Sequence, residues 1–585
     1  MAIERAEETS QIDPKEKYPP AIYPMGFTGT IKDQIIGAIH NFRQALEWQE
    51  RKSAEEIAAS HEVDKIEPQI QQAQNIEELF PAFGLAARIE DQLTKPGEWL
   101  SAISALAGEL LQTEEEIAVT FAKTSRSPKP FRELARETTA ESAVAFHEKW
   151  TVWKEGVEGY GHASVAEHAI IHLGVEHFSS LAVDWITDNR LASFTEQSAR
   201  FQVTPEDYIY VPEAIRKDPH LYRVYMEAQA QATRTYNELV QLGFEYIQTE
   251  EFLRRDPSRR QRDGEKDGAY RLRVQKIIKD NFKDLNTAAR LSSVGVTFNA
   301  REAENAIRKM LSAEIEEVRE IGRLMKQETL QVTPTLVKYA ERHPYLVATR
   351  EAKNQLGRGL KLDSFQMTEN DKLKARLLDL DRDLDNRFIA FFLYNAENVW
   401  ELAPELMEKV KRMSVEEKEA IIESALVNIH NEHDVPIRDF EAAGQFRYEF
   451  LSSYGSLRDF KRHRMSLYKP KPLTVKYGYV IPDLAYEMEE TQPGIIVRFR
   501  KAMERLEDAF ERVENKYPEY AGYLVARAHI RPTLMWFNLR EAYHLFRLRT
   551  GPQAHYLVRR TTIDALNQAI EVAPVFWRHI KFRFN

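Results

Sequence analysis

"VTFNAREA", Val296 to Ala303, recurs as "MWFNLREA", Met535 to Ala542. In both, alternating apolar residues give way to Asn-x-x-Glu, the spacing at which an Asn side chain caps a helix opened just after a short strand. Upstream lies a second matched pair in the same order. "VEHFSSLAVDWITDNR" (Val175 to Arg190) and "YEFLSSYGSLRDFKRHR" (Tyr448 to Arg464) share a Glu, a Ser-Ser pair and an amphipathic run ending in Arg. Similarity in fixed order within one chain signals duplication. The expected organisation is a helical amino-terminal extension over 1–116, copy one over 117–335, a linker over 336–386 and copy two over 387–585.

The local pattern predicts an α+β fold. Ile171, Leu173 and Val175 alternate with His172, Gly174 and Glu176, as Phe446, Tyr448 and Phe450 do in copy two, which argues for strands. Ser179 or Ser180 then caps a helix carrying Leu181, Ala182, Trp185 and Ile186, with Arg190 at its carboxyl end. "AQNIEELFPAFGLAARIEDQL" in the extension reads as helix, and "KNQLGRGLKLDSFQMTENDK" as the connector between copies.

Composition narrows the function. A chain of 585 residues with 43% hydrophobic and 29% charged residues and a net charge of −10 is folded and unsuited to coating nucleic acid. No apolar run approaches the ~18 residues of a membrane helix, and the amino terminus lacks a signal-peptide core, so the expected location is cytoplasmic, with neither membrane nor nucleic acid as partner. The absence of cysteine excludes thiolate nucleophiles and thiolate metal sites. Covalent chemistry must come from another residue or a cofactor.

Four segments could carry chemistry. "GHASVAEHAIIH" holds His162, Glu167, His168 and His172; the last two have helical zinc spacing, which a zinc hydrolase would need, but no H-E-x-x-H is completed and part of the segment alternates as strand. No metal is therefore expected. "KRHRMSLYKPK" sets Arg462, His463 and Arg464 side by side, either as a solvated basic helix end or as a clamp for phosphate or an anionic ring. "ITDNRLASFTEQSARFQ" gathers Arg190, Ser193, Glu196, Ser198 and Arg200, a hydroxyl-guanidinium set able to grip a nucleotide phosphate. In "FNLREAYHLFRLRTGPQAHYLVRR" Asn538 caps a helix on which Arg540, His544 and Arg549 follow, whereas copy one keeps Asn299, Arg301 and Asn305 but has Met310 opposite Arg549. The basic run "RRDPSRRQRDGEKDGAYRLRVQK" in copy one reads as surface.

Together these segments resemble the flavin-dependent thymidylate synthases, whose signature is R-H-R-x-x-S-x-x-x-x-S-x-R. Copy one, "DNRLASFTEQSAR", keeps the third Arg, both serines and the last Arg; copy two keeps "RHRMS" and then departs. The resemblance implies FAD as cofactor, methylene-tetrahydrofolate and NADPH as co-substrates, and dUMP as the substrate methylated to dTMP. By the same resemblance, His162, Glu167, Arg190, Arg462, His463, Arg464, Asn538, Arg540 and His544 would contact the cofactor. Glu196, Ser198, Arg200 and Arg527 would hold the nucleotide, with Arg531 an alternative to Arg527, and Arg549 would be catalytic. Asp459 stands where the family carries a nucleotide-contacting Gln. Because the family assembles sites between subunits, the split signature implies one composite site per chain and a reciprocal, degenerate one. A homodimer would then form a pseudo-tetramer. The alternative is a pseudoenzyme that keeps only a flavin or nucleotide pocket.

Overall fold

The computed structural model describes residues 21–24, 113–151 apart from 126, 130–133, 135 and 136, then 161–197, 205–360, 367–431 and 433–580. The helix expected at "AQNIEELFPAFGLAARIEDQL" lies outside these residues. Strand β1 (Ala21–Pro24) is followed by α1 (Glu114–Thr124), β2 (Ile170–Ser179), α2 (Ser180–Ile186), β3 (Ser193–Glu196), α3 (Pro219–Tyr246), β4 (Leu291–Asn299), α4 (Ala300–Leu311) and α5 (Glu316–Val332). The motif then repeats as β5 (Lys374–Leu380), β6 (Gln445–Ser453), α6 (Tyr454–Phe460), β7 (Ser466–Pro470), α7 (Ile495–Glu514), β8 (Ile530–Asn538), α8 (Leu539–Arg549) and α9 (Tyr556–Val572). The two antiparallel sheets have the same order, β1-β2-β4-β3 and β5-β6-β8-β7.

Local chemistry sets each element as the sequence pattern predicts. Ile171, Leu173 and Val175, and in the repeat Phe446, Tyr448 and Phe450, point inward and are buried. The Ser179 hydroxyl accepts from the amide of Ala182 and caps α2; Ser453 does the same for α6 through Ser456. Asn299 and Asn538 accept from the amides of Glu302 and Glu541, both at 2.9 Å, opening α4 and α8. Copy one carries one extra residue, accommodated by a bulge between Val175 and Phe178 in which His177 adopts a φ of 60°.

Two expectations need correction. The extension is not wholly helical, because Ala21–Pro24 is the edge strand of the first sheet. Nor is 336–386 a plain linker: it holds a helix, Pro344–Gly359, and the edge strand β5. The outer edge of β5 is closed by α9, where the amides of Ala375 and Leu377 donate to Asp564 Oδ2 and Gln568 Oε1, each at 2.8 Å, and Gln568 Nε2 donates back to the Ala375 carbonyl at 2.8 Å. These partners lie nearly two hundred residues downstream, so the polar strand read locally as connector.

The copies meet about a pseudo-twofold axis. When Asn299 is registered on Asn538, Thr287 and Ala526 are equivalent, and they form a β-bridge with each other. Reciprocal bonds flank it: Ala288 N donates to Val525 O and Arg527 N to Asn286 O, both at 2.9 Å. Copy one has no closed core of its own, since Phe499, Leu506 and Phe510 of α7 share one buried cluster with Tyr225, Tyr236 and Leu239 of α3. The basic run of copy one is also partly spent here: Arg259 makes a paired ion bridge to Glu487 at 2.8 and 3.0 Å.

Candidate active site

Registering Ser179 on Ser453 makes Asp184 equivalent to Arg458, Asp188 to Arg462, Asn189 to His463 and Arg190 to Arg464. All eight line one cavity of about 290 Å³ between the copies. Each turn holds the other: Arg190 Nη1 donates to the Ser466 carbonyl and Arg464 Nη2 to Ser193 Oγ, both at 3.4 Å. At the axis Asp184 Oδ1 stands 3.7 Å from Arg458 Nε, so the residues at one position of the repeat meet as opposite charges.

Glu196 of copy one reaches across to copy two. Its Oε2 accepts from Arg462 Nη2 at 3.2 Å, and its other oxygen pairs with Arg458. A copy-one carboxylate is thereby fixed on two copy-two guanidinium groups. Arg458 escaped the sequence reading; its signal was its place four residues before Arg462, on the same face as α6 runs out. Burial, and then the neighbouring Arg527, pushes the Arg458 guanidinium down to about 10, which leaves it charged at neutral pH.

Beneath this pair lies a relay. His463 is 2% exposed; its Nδ1 donates to Glu541 Oε1 at 2.8 Å and its Nε2 accepts from Arg549 Nε at 3.1 Å. Burial, and then Arg549, push His463 down to about 3, so the ring is neutral with its proton on Nδ1. Arg549 also donates to the Asp459 carbonyl at 3.0 Å and lies 3.4 Å from its carboxylate. Asn538, as cap, fixes Glu541, and the His544 ring centroid is 5.2 Å from that of His463. His463, Glu541 and His544 bring possible ligand atoms within 4.8 Å of one another. Both His463 nitrogens are engaged, however, one of them by a guanidinium, and a metal ion there would face that positive charge.

Other candidates sit elsewhere. Arg540 donates to the Pro436 carbonyl and to Glu441 Oε1, both at 3.0 Å, outside the cavity. Glu167 is correspondingly bound to Arg301, the copy-one equivalent of Arg540. His162 precedes a short 3-10 turn, Ala163–His168, its ring 6.4 Å from that of Trp150. His172 lies in β2 against Thr297 Oγ1 at 2.8 Å, so it shares no helix with His168. Arg527 is buried behind α6, where a Cβ on Gly455 would stand 3.1 Å from its own Cβ, and its Nε has no hydrogen-bond partner among the described residues. Ser198 and Arg200 fall outside the described residues.

The family model described as thymidylate synthase complementing protein matches residues 109–335 and 392–575. The chain belongs to that family. A UPF0159 protein of Chlamydia muridarum is 26% identical over 442 residues, covering 74% of this chain and 80% of that one. One from Thermoplasma acidophilum is also 26% identical, over 72% and 86%. The flavin-dependent thymidylate synthase of Clostridium tetani is 23% identical over 228 residues, 39% of this chain but 82% of that enzyme, the span of about one copy. Among solved structures, the UMP/dUMP methylase PolB from Streptomyces cacaoi, bound with 5-Br dUMP, aligns at 14% identity over 35% of this chain and 92% of that one, with a TM-score of 0.28.

Proposed function

We propose that the chain is a thymidylate synthase-like flavoenzyme that binds FAD and methylates dUMP to dTMP, with methylene-tetrahydrofolate and NADPH as co-substrates, in one composite site per chain. The observation that carries this is Glu196 of copy one held on Arg458 and Arg462 of copy two. The donor set suits a flavin diphosphate: among the described residues the hydrogen bonds of the Arg190 and Arg464 side chains go to a carbonyl and a hydroxyl at 3.4 Å, which leaves most of their charge for an anion. A bound flavin supplies two-electron reduction. The chain's residues position and polarise. Arg462 and Arg464 take the cofactor, Ser198 and Arg200 the nucleotide phosphate, and Arg549, oriented by neutral His463, faces the base. The copies are the two domains, a second chain completes a pseudo-tetramer, and the protein works in the cytoplasm.

A pseudoenzyme is the second reading, favoured by Asp459, which binds Arg549 where the family has a Gln. The two readings part on one assay. With FAD, NADPH and methylene-tetrahydrofolate, the enzyme releases label from the uracil C5 position of dUMP and forms dTMP. Tight dUMP binding without either outcome establishes the pseudoenzyme.

A further inference from the structure

Across the pseudo-twofold axis from the composite site lies its reciprocal. There the signature has decayed: Asp188 stands for Arg462, Trp185 for Asp459, Pro470 for Glu196 and Pro472 for Ser198. The space has not closed. These residues line a cavity of about 530 Å³, within the size range of small-molecule sites.

What lines the cavity has been replaced rather than lost. Lys461, Lys469 and Arg531 all border it, and their equivalents in copy one are Thr187, Thr195 and Ser292; Lys461 also reaches the composite cavity, whereas Lys469 and Arg531 border the reciprocal one alone of the two. Most of the lining carboxylates are already committed. Asp184 accepts from the Tyr454 hydroxyl at 2.9 Å and lies against Arg458; Asp188 pairs with Lys309, and Glu314 with Arg350 at 2.8 Å. Lys469 has no bonding partner among the described residues, and Arg531 spends only its Nε, on the Lys471 carbonyl at 2.6 Å, while its guanidinium lies 5.6 Å from the centroid of the Tyr454 ring. Glu519 is the one opposing carboxylate without such a partner among the described residues. Trp185, Tyr468 and Leu473 supply flat apolar walls.

We infer that this reciprocal cavity is a second ligand site, which takes a planar ring bearing a phosphate or carboxylate, with Lys469 and Arg531 on the anion and Trp185 and Tyr468 on the ring. The site is independent of the flavin chemistry proposed for its counterpart. Duplication freed one of two equivalent sites from the parent ligand, and of the new cations Lys469 and Arg531 fall only on that side.

The test is a fluorescence titration of the full chain with 8-anilinonaphthalene-1-sulfonate, a flat anionic ring. Saturable binding is expected, with affinity falling about tenfold or more in K469E/R531A. The Lys469 side chain is exposed and makes no bond among the described residues, so K469E alone, which should weaken binding in the same direction, guards against a folding defect in the double variant. Displacement by phenyl phosphate or by benzoate identifies the anion. Binding that the double variant leaves unchanged, binding that neither competitor displaces, or no saturable binding overturns the assignment.

Discussion

His463 is a histidine that does not titrate where histidines usually do. Pushed down to about 3 by burial and by Arg549, it accepts from that arginine throughout the neutral range, and activity should show no limb from it between pH 5 and 8. Arg549→Ala removes a charged donor and should lower turnover at least tenfold with FAD still bound, as read by steady-state kinetics beside a flavin absorbance titration. Glu317 carries the opposite pH signature. It is buried at the junction of the copies, accepting from Ser179 N at 2.7 Å, Ser179 Oγ at 2.6 Å and the Tyr523 hydroxyl at 2.7 Å, and burial raises it from the ordinary 4.5 to about 7. The folded state therefore binds this proton more tightly than the unfolded chain does. The contribution of Glu317 to stability is fully present below pH 4.5 and is lost as pH rises to about 7, an effect of about 3 kcal/mol. Glu317→Gln should flatten that decline, as measured by urea unfolding across pH; a variant with the wild-type slope would show the titration to reside elsewhere.

At the scale of elements, α2 and α6 face each other through Asp184 and Arg458, equivalent positions that in a symmetric dimer would carry one residue and repel. Asp184→Arg sets two buried cations together and should destabilise by about 3–5 kcal/mol, with Arg458→Asp in the same chain restoring part of it, as read from melting curves. Asn538→Ala removes the cap of α8 and should cost about 1 kcal/mol. These elements were also the legible ones. Strands β2 and β6 open with a period of two, at Ile171, Leu173 and Val175 and at Phe446, Tyr448 and Phe450, and the Ser and Asn caps sit where strand gives way to helix. Strand β5 was not legible, because its closure depends on Asp564 and Gln568 from a distant helix. Nor was the tie of Arg540 to Glu441: an Asn-x-Arg motif places that arginine on the helix but does not say which way it turns. The composite of Glu196 with Arg462 was legible only because the signature is split between two copies, so each half pointed to the other.

At the scale of the whole molecule, the two copies form one folding unit. Helix α7 of copy two completes the core of copy one, and the axial loops exchange backbone bonds. A chain cut between the copies should expose the apolar face of α3, and residues 1–360 alone should aggregate rather than elute as a monomer in size-exclusion chromatography. The same asymmetry underlies the proposal of one site per chain, since Arg462, His463 and Arg549 occur together only in copy two, while their equivalents in copy one are Asp188, Asn189 and Met310. The most direct measurement is a titration of the full-length chain with FAD, followed by flavin absorbance and repeated with Arg462→Ala. One FAD per chain, with affinity weakened about tenfold or more in Arg462→Ala, is the predicted result. Saturation at two per chain, or no binding at all, contradicts a single flavin site assembled from both copies.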